Sequence, residues 1–282
     1  MDIPAIRKFI ADYLNEDVGD GDHTSLATIP AGTQGKAKLL VKENGILAGV
    51  DIALQVFDVV DSNLMVDVFL HDGAAIKKGD VALNVTGSVH SILKAERLVL
   101  NIMQRMSAIA TQTHSIVELI KGTGTKILDT RKTTPGFRYF EKLAVKIGGG
   151  VNHRFGLYDM VLIKDNHVDY SGGISNAINN AKQYLLTNNK CLDIEIEVRN
   201  FDELNEAIKT GGVLRIMLDN FSTTDLKKAV EIIGDQFETE ASGGITIDNV
   251  RAYAECGVNY ISIGALTHSV KSLDLSLKAV NE

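Results

Sequence analysis

Cysteine, proline and positive charge are all in short supply in this chain of 282 residues. Its two cysteines, Cys191 and Cys256, stand alone, without CxxC spacing or neighbouring histidine pairs. That excludes a disulfide framework and a thiolate zinc site, and leaves two reduced structural thiols. With three prolines, 45% hydrophobic and 23% charged residues, the composition carries no disordered or fibrous bias. A formal net charge of −7 excludes a nucleic-acid or membrane-surface protein, because gripping a polyanion takes a net basic face. Any anionic ligand has to be held by a local basic site. No segment approaches the roughly 18 apolar residues of a membrane span. The opening MDIPAIRKFIADYLNEDVGDGD mixes acids into its apolar positions, unlike a signal peptide. The expected location is cytoplasmic.

What is present divides into two rhythms. Residues 1–125 start with an amphipathic stripe (Ile6, Phe9, Ile10, Tyr13, Leu14) and continue into strand-like KAKLLVKE and period-two runs broken by Gly-Asp turns, which reads as a small mixed α/β sheet domain. From His90 to about Lys121 apolar residues surround a helical stretch almost completely, the mark of burial or a packed interface. Arg97, Asn101 and Arg105 share its polar stripe. From Lys126 onward short apolar runs (KILDT, MVLIKD, LDIEIEV, LRIMLD, TEASGG, YISIGA) alternate with helix-length segments, so a parallel sheet is expected over 126–270. Asp129, Arg131, Lys164, Asp165, Glu197, Asp219, Ser242 and Gly264 fall at the C-terminal ends of these runs. One rim gathering the polar residues points to a (β/α) barrel of six or seven strands, with phosphate bound after the last two, at SGGI and IGALTHS. Residues 271–282 are expected to form a C-terminal helix packing back on the N-terminal domain.

The segment DTRKTTPGFRYFEKLAVKIGGGVNHR, 129–154, concentrates basic residues in an acidic chain. Arg138, Lys142 and Lys146 recur every fourth residue and read as a solvated helix face. Arg131, Lys132, His153 and Arg154 instead bracket that helix, where side chains can converge on a carboxylate-rich small molecule. Glu195 and Glu197 alternate onto one face of a strand, with Asp219 at the end of the next. Glu195 is expected to pair with a basic neighbour, and the carboxylates at the rim suit Mg²⁺ together with a substrate's phosphates. His268 either caps the final helix or joins the phosphate site. Asp17, Asp20 and Asp22 do not make a calcium loop, since the spacing is wrong and Thr28 stands where the terminal glutamate belongs.

EDVGDGDHTS (16–25), AERLVLNIMQRMSAIAT (95–111), DTRKTTPGFRYFEKLAVKIGGGVNHRFGLYDMVLIKDNH (129–167), IEIEV (194–198), IMLDNF (216–221), SGGI (242–245) and SIGALTHS (262–269) closely resemble the quinolinate phosphoribosyltransferase family, over nearly the whole chain. The resemblance implies an N-terminal α/β sandwich followed by an incomplete, open β/α barrel. It also implies transfer of phosphoribosyl from phosphoribosyl pyrophosphate to quinolinate with decarboxylation, a step of de novo NAD synthesis giving nicotinate mononucleotide, pyrophosphate and CO₂. Matched positions imply that quinolinate is bound by Arg97, Thr130, Arg131, Lys132, His153, Arg154 and Lys164. Catalytic roles fall to Lys132, Lys164, Glu197 and Asp219, with Mg²⁺ at Glu197 and Asp219. Ser242, Gly243, Gly244, Ile263, Gly264, Ala265 and His268 surround the 5-phosphate. The family unit is a homodimer in which Arg97 reaches the neighbouring site. Two rival readings are a Schiff-base aldolase using Lys164 and a molybdenum-uptake-associated relative of the same fold.

Overall fold

The computed structural model describes residues 3–280, and the chain divides into two compact units. Among the described residues the first comprises 3–114, 134–149 and 269–280, the second 115–133 and 150–268.

In the first unit, helix α1 (Ile3–Val18) buries Ile6, Ile10 and Leu14, one stripe at four-residue spacing. Helix α2 (His23–Thr28) is capped by Asp22, whose carboxylate accepts the Ser25 N–H at 3.1 Å, so this aspartate serves as a helix cap. Strands β1 (Gln34–Val41), β2 (Gly45–Ile46), β3 (Met65–Val68), β4 (Ala75–Ile76) and β5 (Val81–Ser88) surround helix α3 (Val50–Val60) in the sequence. The long helix α4 (Val89–Leu119) follows and crosses into the second unit after His114. Helix α5 (Arg138–Ile147) belongs to the first unit through an aromatic cluster: Phe140 lies 4.6 Å from Phe9 and 4.9 Å from Phe137, centroid to centroid.

The second unit contains β6 (Lys126–Leu128), β7 (Val161–Ile163), α6 (Asp165–Ser171), α7 (Ile174–Thr187), β8 (Ile194–Val198), α8 (Phe201–Thr210), β9 (Arg215–Asp219), α9 (Thr223–Ile233), β10 (Glu238–Ser242), α10 (Val250–Ala254), β11 (Tyr260–Ser262) and α11 (Ala265–His268). The last strand, β12 (Leu275–Ala279), returns to the first unit. There it completes an antiparallel sheet in the order β12-β1-β5-β3, with Leu39 opposite Leu277. This corrects the expected C-terminal helix. In SLDLSLKA the apolar residues alternate, and Leu273, Leu275 and Leu277 are buried while Asp274 and Lys278 are exposed, the period of a strand covered on one side. Glu282 and its neighbour, the last residues of that expected helix, lie outside the described residues, as do the first two of the N-terminal domain.

A second correction concerns α5. Lys142 is 2% exposed and so does not belong to a solvated face. The adjacent Glu141, fully buried, receives Arg105 at 2.9 Å and both the N–H and hydroxyl of Thr134. Arg138 is half-buried and Lys146 exposed, so the solvated face that spacing suggested is interrupted at Lys142.

The six strands of the second unit are all parallel, in the order β6-β11-β10-β9-β8-β7. The two edges are the first and second strands of the series. The ring is therefore open between them, as an incomplete barrel. At that seam the chain entering from α5 runs beside β6: the Val151 N–H donates to Ile127 O at 2.8 Å and the Asp129 N–H to Val151 O at 3.2 Å. On β8, Ile194, Ile196 and Val198 face one side and Glu195 and Glu197 the other, all five buried.

Candidate active site

Successive βα units leave a polar residue at the end of every strand of the second unit. Thr130, Arg131 and Lys132 follow β6, Lys164 follows β7, Ser242 ends β10 and Ser262 ends β11. With His153 and Arg154 from the seam segment, and Leu162, Met217 and Glu240, they line a cavity of ≈ 290 Å³. Six of the seven residues expected to bind quinolinate, all but Arg97, thus share one hollow with Ser242 of the expected phosphate site.

Its cations are crowded. Burial, and next the charge of Arg131, push the Arg154 guanidinium below its usual pKa. Arg131 Nε is buried without a hydrogen-bond partner. Two guanidinium groups held against their mutual repulsion, one with an unanswered donor, make a site that an anion completes.

Beneath them lies an ionic layer contributed by adjacent strands. Arg215 Nη1 stands 3.1 Å from Glu240 and 3.7 Å from Glu195, Nη2 stands 2.9 Å from Glu238, and the guanidinium sits 4.0 Å over the Tyr260 ring. His153 Nε2 lies 3.1 Å from Glu195 and 3.5 Å from Glu240. Glu195 accordingly has the basic neighbours expected of it. Burial disfavours a charged His153, but the two carboxylates outweigh it and raise the imidazole to about 9. Burial and the Glu240 charge push Glu195 up, whereas His153, Ser262 and Arg215 overcome burial to hold Glu240 down. The Arg154 amide donates to His153 Nδ1 at 2.7 Å, so the proton of the neutral ring sits on Nε2 and a second proton has to displace that contact. Protons and the Arg215 guanidinium already serve this cluster, which is why its donor set is a poor metal site although three ligand-type atoms lie within 4.8 Å of one another.

Glu197 is ion-paired with Lys164. A lysine engaged by a neighbouring carboxylate is a poor imine-forming nucleophile, which weighs against the aldolase reading. Asp219 ends β9 with its carboxyl raised by burial and then by the charge of Glu197, with Lys164 opposing. The next residue, Asn220, adopts φ 57° and donates to Asp219 at 2.6 Å. After β10, Gly243 has φ 92°, and a Cβ there would meet Asn220 Oδ1 at 2.2 Å. After β11, a Cβ on Gly264 would lie 2.9 Å from Lys132 Cδ and 3.1 Å from His268 Nε2, so these three residues crowd one spot with Ala265 beside them. Gly244 has open space, while the Ile263 side chain is core and its N–H donates to Leu128 O at 3.0 Å. His268 ends α11. Arg97 is exposed on α4 in the first unit.

Leu162, Met217, Glu240 and Ser262 line the cavity without having been singled out in the sequence. The available signal was Glu240, an acid at the middle of a short strand in a parallel series, where burial demands a partner.

The family model described as quinolinate phosphoribosyl transferase, C-terminal domain, matches residues 109–278, and the corresponding N-terminal domain matches 22–107. The chain belongs to the quinolinate phosphoribosyltransferase family. Quinolinate phosphoribosyltransferase [decarboxylating] 1b of Nicotiana tabacum is 46% identical over 284 residues, covering 95% of this chain and 81% of that protein. Nicotinate-nucleotide pyrophosphorylase [carboxylating], chloroplastic, of Arabidopsis thaliana is 45% identical, covering 100% and 84%. Among solved structures, NadC from Streptococcus pyogenes superposes with a TM-score of 0.93 at 36% identity, covering 100% of this chain and 99% of that one. These names favour the carboxylating phosphoribosyltransferase family over the molybdenum-uptake-associated relative. Among the described residues no helix is long and apolar enough to cross a membrane.

Proposed function

We propose that the cavity binds quinolinate and phosphoribosyl pyrophosphate and that the chain joins them with loss of CO₂. The observation that carries this reading is the pair of mutually repelling guanidiniums, Arg131 and Arg154, in one hollow with Lys132, His153 and Lys164. A pyridine with two adjacent carboxylates supplies two anions on one rigid ring, matched to paired planar donors. Family membership, and the reaction named in its relatives, support the same assignment.

In the reaction the pyridine nitrogen lone pair forms a bond to C1′ of the sugar while the C1′–oxygen bond breaks and pyrophosphate leaves with its electrons. Positive charge spreads over C1′ and the ring oxygen, where the carboxylates of Glu197 and Asp219 stabilise it. Lys132 and Lys164 neutralise the departing pyrophosphate. The bond to the 2-carboxylate then breaks, CO₂ departs, and the electron pair left at C2 is stabilised by the quaternary nitrogen until a solvent proton takes it up. Ser242, Gly243, Gly244, Gly264, Ala265 and His268 are proposed to hold the 5-phosphate, with Ile263 as their apolar base. Glu197 and Asp219 suit Mg²⁺, because the second carboxyl is raised partly by the charge of the first and a cation relieves that repulsion. The ion supplies charge neutralisation to pyrophosphate when bound.

We further propose a homodimer in which Arg97, exposed on the polar stripe of α4 that it shares with Asn101, completes the neighbouring subunit's site. The unpaired thiols Cys191 and Cys256 favour a reducing compartment, proposed to be the cytoplasm.

An assay following CO₂ and nicotinate mononucleotide tests the assignment. Arg131→Ala is expected to lower kcat/KM for quinolinate roughly hundredfold through loss of a bidentate charged contact. Nicotinate, which lacks the 2-carboxylate, is expected not to replace quinolinate. Near-normal turnover of the variant would overturn the reading.

A further inference from the structure

We propose that Asp129 is a positioning residue that latches the open seam of the barrel and thereby sets His153 and Arg154 against Arg131. The inference rests on the reading of the cavity as a quinolinate site. It adds a residue that contacts no substrate in that reading.

The seam poses a problem of mechanics. A closed barrel fixes every rim residue through strand pairing on both sides, whereas β6 has a strand neighbour, β11, on one side only. Beside its other edge, main-chain pairing with residue 151 ends at Asp129. His153 and Arg154 come immediately beyond the point where the backbone ladder stops. The side chain of Asp129 takes over there. It is 0% exposed, its Oδ1 accepts the His153 N–H at 2.8 Å, and its Oδ2 accepts from Asn152 Nδ2 at 2.6 Å. One carboxylate thus extends the pairing by charge-assisted hydrogen bonds, each stronger than a neutral one.

The same residue leads directly into Thr130 and Arg131. Its backbone therefore carries one side of the basic cluster while its carboxylate grips the other. His153 is held at both ends, at the backbone by Asp129 and at the ring by Glu195 and Glu240. A latch of this kind fixes where two guanidiniums converge, which governs recognition of a rigid dicarboxylate more than the chemistry that follows.

The test exploits the polarity of the Asp129–Asn152 pair. Asp129→Asn still accepts the His153 N–H but presents its own amide donor to Asn152, which has to turn its side chain over and give up the charge-assisted bond to pair again. Asn152→Asp sets carboxylate against carboxylate. The double exchange restores a donor opposite an acceptor. Each single variant is expected to raise KM for quinolinate about tenfold, the scale of leaving a buried group unsatisfied, with kcat and KM for phosphoribosyl pyrophosphate within about twofold of the parent. The exchange is expected to recover most of that loss. An unchanged KM for quinolinate in Asn152→Asp, or an exchange no better than the worse single variant, overturns the latch. Should Asp129→Asn fail to fold, as thermal unfolding reveals, Asn152→Ala carries the same comparison with one bond deleted and no repulsion introduced. Amide hydrogen exchange of the full chain is read in parallel: protection of the His153 N–H in the parent and its loss in Asp129→Ala, which removes the acceptor, are expected, and an unprotected parent amide overturns the latch. That readout needs no turnover. Failure of the parent to bind quinolinate by calorimetry therefore removes the functional reading on its own, separately from the latch.

Discussion

His153 illustrates how burial and charge compete on a single side chain. Loss of solvent alone would keep the imidazole neutral, yet Glu195 and Glu240 raise it to about 9 from an ordinary 6.5. A folded pKa raised above the unfolded one contributes stability that is fully present below about 6.5 and is lost as pH rises through about 9. Urea unfolding between pH 6 and 9.5, values chosen to bracket these about-6.5 and about-9 limits, is therefore expected to show falling stability in the parent. A shallower slope is expected in His153→Gln, and an identical slope would mean that the ring does not titrate in this window. Much of the cavity's chemistry was legible from residue type: Arg131, Lys132, His153, Arg154 and Lys164 stand out in an acidic chain, and the structure gathers them. Lys142 was misread because a four-residue period locates a helix face but does not say what covers it. Asp129 was noticed as a strand-end acid, but its partners are 23 and 24 residues away, beyond the reach of any local pattern.

At the scale of elements, the six parallel strands were legible because each apolar run is short, closes on a polar residue and is followed by a helix. The C-terminal strand was not, since Leu273, Leu275 and Leu277 alternate within a stretch too short to separate the helical period from that of a strand. It acquires its identity from pairing with β1, far off in the chain. The turn after β10 has less freedom than any strand. At φ 92°, and with Asn220 where a Cβ would sit, Gly243 suffers both a strained backbone and a clash on substitution. Gly243→Ala is expected to raise KM for phosphoribosyl pyrophosphate severalfold and to cost about 1–3 kcal/mol of stability. Gly244, equally left-handed at φ 61° but in open space, is the control: its alanine variant suffers the backbone term without the clash. Steady-state kinetics and chemical unfolding of the two variants decide the matter.

For the whole molecule, the proposal that Arg97 serves a neighbouring subunit makes activity a property of pairs. Arg97→Ala and Glu197→Gln are each expected to be nearly inactive alone. When the two are mixed, unfolded and refolded together, half the dimers carry both lesions on one composite site and leave the other intact, so about a quarter of parental activity should return. No recovery on mixing would confine each site to one chain. The ionic layer inside the parallel barrel bears on the history of the molecule as much as on its present form. Removing Arg215 alone leaves the buried Glu195 and Glu240 to share His153, and removing Glu240 alone leaves a guanidinium short of a partner, so each first step away from the set is penalised before a second can compensate. The set is therefore expected to change at least cost by concerted replacement with apolar groups of similar volume, not one residue at a time.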